Sequence, residues 1–203
     1  MIEQFLLVFI PLLIIVNPSS SLALFSILTQ KSSKKERIRT ARNAVLYAAI
    51  LLFIFALAGS AILRYLGISI PALRIAGGIL LGFVGLDMLR RGEQFGESPP
   101  NKKESSPDDY ALVPLALPSL SGPGAITVTI VSMQTIENAL IFVIISIILV
   151  MMITFAVFMS SVVVVKILGK KGMDALTRIM GLLTVAISVQ FGLTGLAEWI
   201  ATL

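Results

Sequence analysis

Two short stretches of this chain place helix breakers and small polar residues inside long apolar runs. The first is "NPSSS", residues 17–21, and the second is "SGPGA", residues 121–125. A proline that follows a capping residue is typical of the first position of a helix, where its missing N–H leaves nothing unpaired. Each stretch therefore predicts that a second helix begins inside the run.

The start of such a helix could bind a ligand, because its first N–H groups are unpaired and its dipole is positive there. We expect Asn17 to cap one helix and Ser121 or Gly122 to cap the other. The N–H groups of residues 19–21 and 124–126 would then be free for an anion such as a carboxylate. Upstream carbonyls left unpaired by the prolines suit an ammonium group, so a small zwitterion would use both. The predicted binding residues are Asn17, Pro18, Ser19, Ser20, Ser21, Ser121, Gly122, Pro123, Gly124, Ala125 and Thr127.

The composition points to a membrane protein without the usual catalytic side chains. The 203 residues are 57% hydrophobic and 13% charged, with a mean hydropathy of +0.98, whereas soluble domains carry about 25% charged residues. There is no histidine or cysteine, which excludes thiolate and imidazole chemistry and the usual zinc sites. We expect no enzyme and no cofactor. The net charge of +5 comes from short loops and not from a basic face, which argues against nucleic acid.

Apolar runs of about 20 residues predict an all-α polytopic membrane protein with six transmembrane helices. The runs are 5–30, 44–63, 75–86 (72–89 with its flanks), 110–136, 138–165 and 179–197. All but Arg64 and Arg74 of the 16 Lys and Arg residues fall in the loops on one side. The positive-inside rule makes that side cytoplasmic and both termini external, in a prokaryotic cell membrane.

The chain also divides into two similar halves. Residues 1–91 and 110–203 each hold three predicted spans, joined by a polar linker at 92–109 whose composition predicts flexibility. Arg74-Ile75-x-Gly77 in the first half recurs as Arg178-Ile179-x-Gly181 in the second. Units of three spans must insert with opposite topology, which predicts an inverted repeat.

We call the helix interruptions at Asn17-Pro18 and Gly122-Pro123 the two breaks. They fall at the centres of the first and fourth runs, in corresponding positions of the two halves. Paired interruptions at the membrane midplane are typical of transporter binding sites. The alternative is that the prolines only kink packed helices, since Pro and Gly are common in membrane helices. A non-transporting scaffold would then be expected, with the breaks packed shut.

The segments "LRIAGGILL" (73–81), "PLALPSLSGPGAI" (114–126) and "RIMGLL" (178–183), together with Asn17-Pro18, resemble the MarC family of prokaryotic membrane proteins. That family includes small neutral amino acid transporters of the SnatA type. The resemblance implies six helices in two inverted repeats and transport of glycine, alanine or similar amino acids. An efflux protein for drugs or other amphipathic compounds is the alternative, and would need an aromatic-lined cavity.

Other side chains within or beside the spans carry weaker hypotheses. Asp87 is the one carboxylate inside a predicted span, and it could couple transport to a proton or sodium ion or pair with nearby arginines. Arg74 and Arg178 begin predicted helices, where a cation is unfavourable, so each needs a lipid phosphate, a carboxylate or an interfacial position. The glycines at 78, 82 and 85 predict close helix packing or a sliding surface. The expected partners are thus a small neutral amino acid, membrane lipid and a coupling ion.

Overall fold

The computed structural model describes residues 2–30, 32–91, 111–136 and 139–202, and every regular element in these ranges is a helix. The linker 92–109 lies outside the described residues. Seven of the elements are α-helices and one, which we number α5, is a π-helix. They are α1 (Ile2–Val16), α2 (Pro18–Leu28), α3 (Lys34–Tyr65), α4 (Ile70–Arg91), α5 (Ala111–Leu120), α6 (Pro123–Thr135), α7 (Ala139–Met159) and α8 (Ser161–Ile200).

Five segments of the described chain are long and apolar enough to cross a membrane. They are Ile2–Leu28, Lys34–Tyr65, Ile70–Arg90, Ala139–Met159 and Lys171–Ile200. The predicted fourth span, 110–136, is occupied by α5 and α6, which are 10 and 13 residues long. At 1.5 Å per residue an α-helix of 13 residues covers only about 20 Å, less than the hydrocarbon core. Six spans therefore stay a prediction.

The predicted loop between the fifth and sixth runs contains a break at Gly169, but most of its other residues are helical. The segment "KILGKKGMDALTR" (166–178) is helical and belongs to α8, which begins at Ser161. Only Gly169 departs from helical geometry, with φ 60° and ψ −178°, and it kinks the helix there. The segment has no proline, and its Lys, Leu, Met and Ala residues favour helix on either side of the break, which falls at a glycine because glycine tolerates positive φ.

Helices α4 and α8 pack closely and run antiparallel. A Cβ placed on Gly85 would lie 2.9 Å from the carbonyl oxygen of Gly181, and one on Gly78 would lie 2.8 Å from that of Ser188. At one end Arg74 Nη1 lies 3.3 Å from Glu198 Oε1. The expected close packing of the α4 glycines is therefore confirmed, and the partner of Arg74 is a carboxylate.

At the opposite end of this pair, Arg178 Nη1 donates to the carbonyl oxygen of Leu89 over 2.6 Å. That end also carries the start of α3, which Ser33 and Glu36 cap by bonding each other's backbone N–H. Lys34, Lys35, Arg37, Arg39 and Arg42 follow on the first turns of α3. We call it the basic end of the bundle.

The remaining contacts enclose the short helices. α1 packs on α7 and α5 on α3, while α2 packs on α8 and α6 on α4. α3 packs on α7, and small side chains that recur every three or four residues along α3 are buried, among them Ala41, Ala44, Ala48 and Ala56. The ends of α1 and α5 and the starts of α2 and α6 consequently lie inside the bundle.

Candidate functional site

The first break is a single left-handed residue. α1 ends at Val16, Asn17 has φ 44° and ψ 73°, and α2 begins at Pro18, as the sequence predicts. Asn17 is the one non-glycine residue of positive φ in the described chain. Asparagine tolerates this conformation better than most residues, because its short side chain can bond the local backbone.

The side chain of Asn17 is buried and only half satisfied. Its Oδ1 accepts from Ser19 Oγ at 2.6 Å and from the N–H of Ser20 at 3.4 Å. Because a backbone N–H can only donate, this contact fixes the oxygen on that side of the amide. The Nδ2 atom is buried with no hydrogen-bond partner among the described residues, in a side chain whose residue is 1% exposed. Leaving such a donor unpaired costs about 1–3 kcal/mol, so the site is ready for an acceptor.

The prediction that the N–H groups of residues 19–21 are all free is wrong for two of them. Those of Ser20 and Ser21 donate to the carbonyl oxygen of Asn17 at 3.2 and 3.3 Å. These are the ordinary first bonds of a helix, in which the N-cap carbonyl accepts from the third and fourth helical residues. The N–H of Ser19 has no acceptor among the described residues. Upstream, Pro18 has no N–H with which to bond the carbonyl of Ile14.

The second break follows a π-helix. α5 contains Pro114 and Pro118, which lack the N–H groups that an α-helix would need at those positions. The helix widens into π-helical turns instead, and the N–H of Ser121 donates to the carbonyl oxygen of Ala116, five residues back, at 3.0 Å. π-Helical turns occur often at functional sites.

Gly122 is the N-cap of α6, which begins at Pro123 as predicted. Ser121 is not the cap, because its hydroxyl donates to the carbonyl oxygen of Ala116 at 2.7 Å. The N–H of Ile126 donates to the carbonyl oxygen of Gly122 at 3.1 Å, so the prediction that this N–H is free is also wrong. Those of Gly124 and Ala125 have no acceptor in the described chain.

Two of the predicted binding residues serve helix packing. A Cβ on Gly124 would clash with Leu81 of α4 and lie 3.0 Å from Ile15 Cγ2. Thr127 donates its hydroxyl to the carbonyl oxygen of Pro123 at 2.9 Å, and its methyl group fills the space beside Gly77. These glycines let α6 approach α1 and α4.

The structure brings the two breaks to the same level. Ser21 Oγ and Ser119 Oγ share a hydrogen bond of 2.7 Å between α2 and α5, and Gly124 lies against Ile15 of α1. The two segments of the chain run in opposite directions here, so these contacts place Asn17 level with Gly122. Ser119 was missed by the sequence analysis; its position one turn before Pro123 was the available signal.

Unpaired donors from both breaks therefore share one layer of the bundle. Asn17 Nδ2 and the N–H of Ser19 come from the first break, and those of Gly124 and Ala125 come from the second. Both helix starts add positive potential. The arrangement can bind an anionic group of a small molecule.

Asp87 lies on α4 towards the basic end and is half-buried. It follows Leu81, which packs against Gly124, by six residues, or about 9 Å along the helix. Asp87 is therefore placed beside the layer of the breaks and not in it.

The sequence profile described as "MarC family integral membrane protein" matches residues 2–200. A UPF0056 membrane protein of Methanocaldococcus jannaschii is 40% identical over 201 residues, covering 96% of this chain and 97% of the relative. The UPF0056 inner membrane protein MarC of Citrobacter koseri and that of Salmonella typhimurium are each 35% identical over 210 residues, covering 94% of this chain and 93% of theirs. No solved structure matches the chain.

Proposed function

The chain belongs to the MarC family of integral membrane proteins, and we propose that it is a non-enzymatic secondary transporter of small neutral amino acids. The substrate lies between the starts of α2 and α6, and the coupling ion is a proton or sodium. Asp87 is the proposed coupling residue because it is a carboxylate inside an apolar helix.

The observation that carries this proposal is the buried, unpartnered Nδ2 of Asn17. It lies beside an unpaired N–H at Ser19 and level with those of Gly124 and Ala125. A carboxylate accepts from several such donors at once, and hydrogen bonds to a charged group are the stronger kind. The carbonyl of Ile14, which Pro18 cannot bond, suits the ammonium group.

The size of the substrate follows from the residues around the donors. Ile15 and Leu81 press against Gly124, and Ser20 and Ser21 are buried. Such close packing excludes a bulky side chain, which favours glycine and alanine as substrates. A drug-efflux site would need aromatic walls, yet Phe25, the aromatic residue next along α2, is stacked on Phe158.

The packing of the helices supports two inverted repeats. Exchanging the halves of the chain turns the α1–α7 contact into α5–α3 and the α2–α8 contact into α6–α4, and all four are present. The α3–α7 and α4–α8 contacts each exchange into themselves. Alternating access in such folds arises when one repeat moves against the other around a fixed site.

Uptake into proteoliposomes tests this function. We expect the purified chain to accumulate labelled glycine or alanine when a proton or a sodium gradient is imposed. Unlabelled alanine should compete and phenylalanine should not, and Asp87→Asn should abolish accumulation against a gradient while allowing exchange. Absence of uptake under every gradient, by protein that is folded and inserted, would contradict the proposal.

A further inference from the structure

A cluster of buried side chains lies between the basic end and the breaks. Phe25 on α2 and Phe158 on α7 stack face to face, with ring centroids 4.5 Å apart and planes within 1°. Both residues are fully buried. Phe25 follows Asn17 by eight residues, which is about 12 Å along α2. The stacked rings therefore lie between the breaks and the basic end.

Arg37 of α3 covers this stack from the side of the basic end. Its guanidinium carbon lies 5.5 Å from the centre of the Phe25 ring, a cation–π contact. Its Nη2 donates to Ser161 Oγ, at the start of α8, over 2.7 Å. The Arg37 side chain thus links α3 to α2 and α8. These three helices would have to move apart for the inner site to open towards the basic end.

The guanidinium is not fully satisfied in this position. Arg37 Nε is buried with no hydrogen-bond partner among the described residues. Its strongest acceptor here is the neutral hydroxyl of Ser161, whereas guanidinium bonds to carboxylates are charge-assisted and roughly twice as strong. A carboxylate that reached Arg37 would displace this hydroxyl.

A pocket of about 480 Å³ gives a carboxylate that access. It is lined by Ser32, Lys34, Arg37, Ile38 and Met159. Two of these side chains are cations and none is acidic, so the pocket attracts anions. Its volume exceeds that of a single small amino acid.

We propose that this pocket is a second, outer substrate site and that Arg37 is the residue that gates the inner one. Here a carboxylate draws the Arg37 guanidinium from Ser161 and Phe25, after which the Phe25–Phe158 stack can separate. Binding shifts the protein towards the open form because the carboxylate contacts Arg37 better there. The inference rests on the proposed function for the identity of its ligand.

The absence of cysteine from the chain permits a test by labelling. A reporter, Leu22→Cys, would be placed at a buried position of α2 between the first break and Phe25 and exposed to a membrane-impermeant maleimide from the side of the basic end. We expect slow labelling in the otherwise unchanged chain. Arg37→Gln and Ser161→Ala should each accelerate it at least about tenfold, the effect of losing a hydrogen bond to a charged group.

Arg42→Gln is the matched control, because Arg42 is an exposed arginine of the same helix whose guanidinium bonds the neighbouring Asn43. It should leave the labelling rate unchanged. Equal rates in the parent, Arg37→Gln and Ser161→Ala proteins would overturn the gate. A denatured variant would reveal itself by rapid labelling from both sides, and the conservative Arg37→Lys would then replace it, with intermediate labelling expected and a rate equal to the parent's contradicting the gate.

Added ligands identify what opens the gate. Glycine should accelerate labelling of the parent protein, whereas glycinamide, which lacks the carboxylate, should not. No response to glycine in a protein that transports it would overturn the outer site and leave the proposed function standing. Faster labelling of Arg37→Gln and Ser161→Ala in a protein that transports no amino acid would instead retain the gate and reject the proposed function.

Discussion

Asn17 meets three demands at one position of the chain. The break requires a residue that tolerates a left-handed backbone, and Asn17 adopts φ 44°. Its Oδ1 accepts from Ser19 and Ser20 and so caps α2. Its Nδ2 keeps a donor for a ligand. Glycine would meet the first demand and aspartate the first two, but neither would supply the donor.

Substitutions at Asn17 should separate backbone strain from binding. Asn17→Gly removes strain and cap together, and we expect the unfolding temperature in detergent to change by only a few degrees. Asn17→Val places a β-branched residue at positive φ, which costs about 1–3 kcal/mol and should lower that temperature clearly. If thermal unfolding gives the same value for both variants, Asn17 is not held in the left-handed conformation.

At the residue scale, the sequence predicts the helix starts but not the final hydrogen bonds. Pro18 and Pro123 begin α2 and α6 as expected, because proline at a first helical position acts through local geometry. Ser20 and Ser21 were expected to leave their N–H groups free, and both donate to Asn17. Both bonds are the ordinary first bonds of a helix, because the N-cap carbonyl accepts from the third and fourth helical residues.

At the element scale, the interrupted helices depend on one another for register. The Ser21–Ser119 hydrogen bond is the direct link between α2 and α5, and its position depends on the π-helical widening of α5. The prolines at 114 and 118 indicate a disturbed helix, but they do not specify whether it kinks or widens. The level of the second break was therefore not fixed by the sequence alone.

An engineered disulfide should form between α2 and α5. Hydroxyl oxygens 2.7 Å apart place the two Cβ atoms near the separation that a disulfide needs. We expect Ser21→Cys/Ser119→Cys to cross-link on mild oxidation, as measured by mass spectrometry of the intact chain. Ser21→Cys/Ser132→Cys is the control, since Ser132 follows Pro123 by nine residues, about 14 Å along α6. Cross-linking of the control alone would contradict the register.

The α4–α8 contact depends on particular glycines. A Cβ on Gly85 would meet the backbone of α8 within 2.9 Å, whereas one on Gly192 would meet nothing within 4 Å. Gly85→Ala should therefore destabilise the protein by about 1–3 kcal/mol. Gly192→Ala should be neutral or stabilising, because alanine favours helix. Equal unfolding temperatures for the two variants would show that α4 and α8 are further apart.

At the scale of the whole molecule, two kinds of sequence pattern differ in what they predict. Apolar runs gave the membrane class and most helices, because the hydrophobic length of a span is a strong constraint. The same criterion missed that residues 166–178 are helical on either side of Gly169, because charged residues at a membrane surface do not end a helix. The antiparallel packing of α4 on α8 places the two copies of the short Arg-Ile-x-Gly repeat at opposite ends of the helix pair.

The orientation of the molecule is also testable in this cysteine-free chain. The positive-inside rule predicts that the basic end faces the cytoplasm. In intact cells, an impermeant maleimide should label Glu3→Cys and Thr202→Cys but not Lys35→Cys, which should react only in inverted vesicles. Labelling of Lys35→Cys in intact cells would reverse the orientation and with it the side from which the proposed gate opens.

The proposed site depends most on the donor that Asn17 leaves unpaired, and equilibrium binding of labelled glycine to the purified protein tests that site most directly. Asn17→Asp keeps the capping acceptor and replaces the donor with negative charge, so we expect the dissociation constant to rise at least about tenfold. Gln134→Glu makes the same chemical change at an exposed position of α6 and should bind like the parent protein. Binding by Asn17→Asp that equals the parent's would contradict a carboxylate site at the paired breaks.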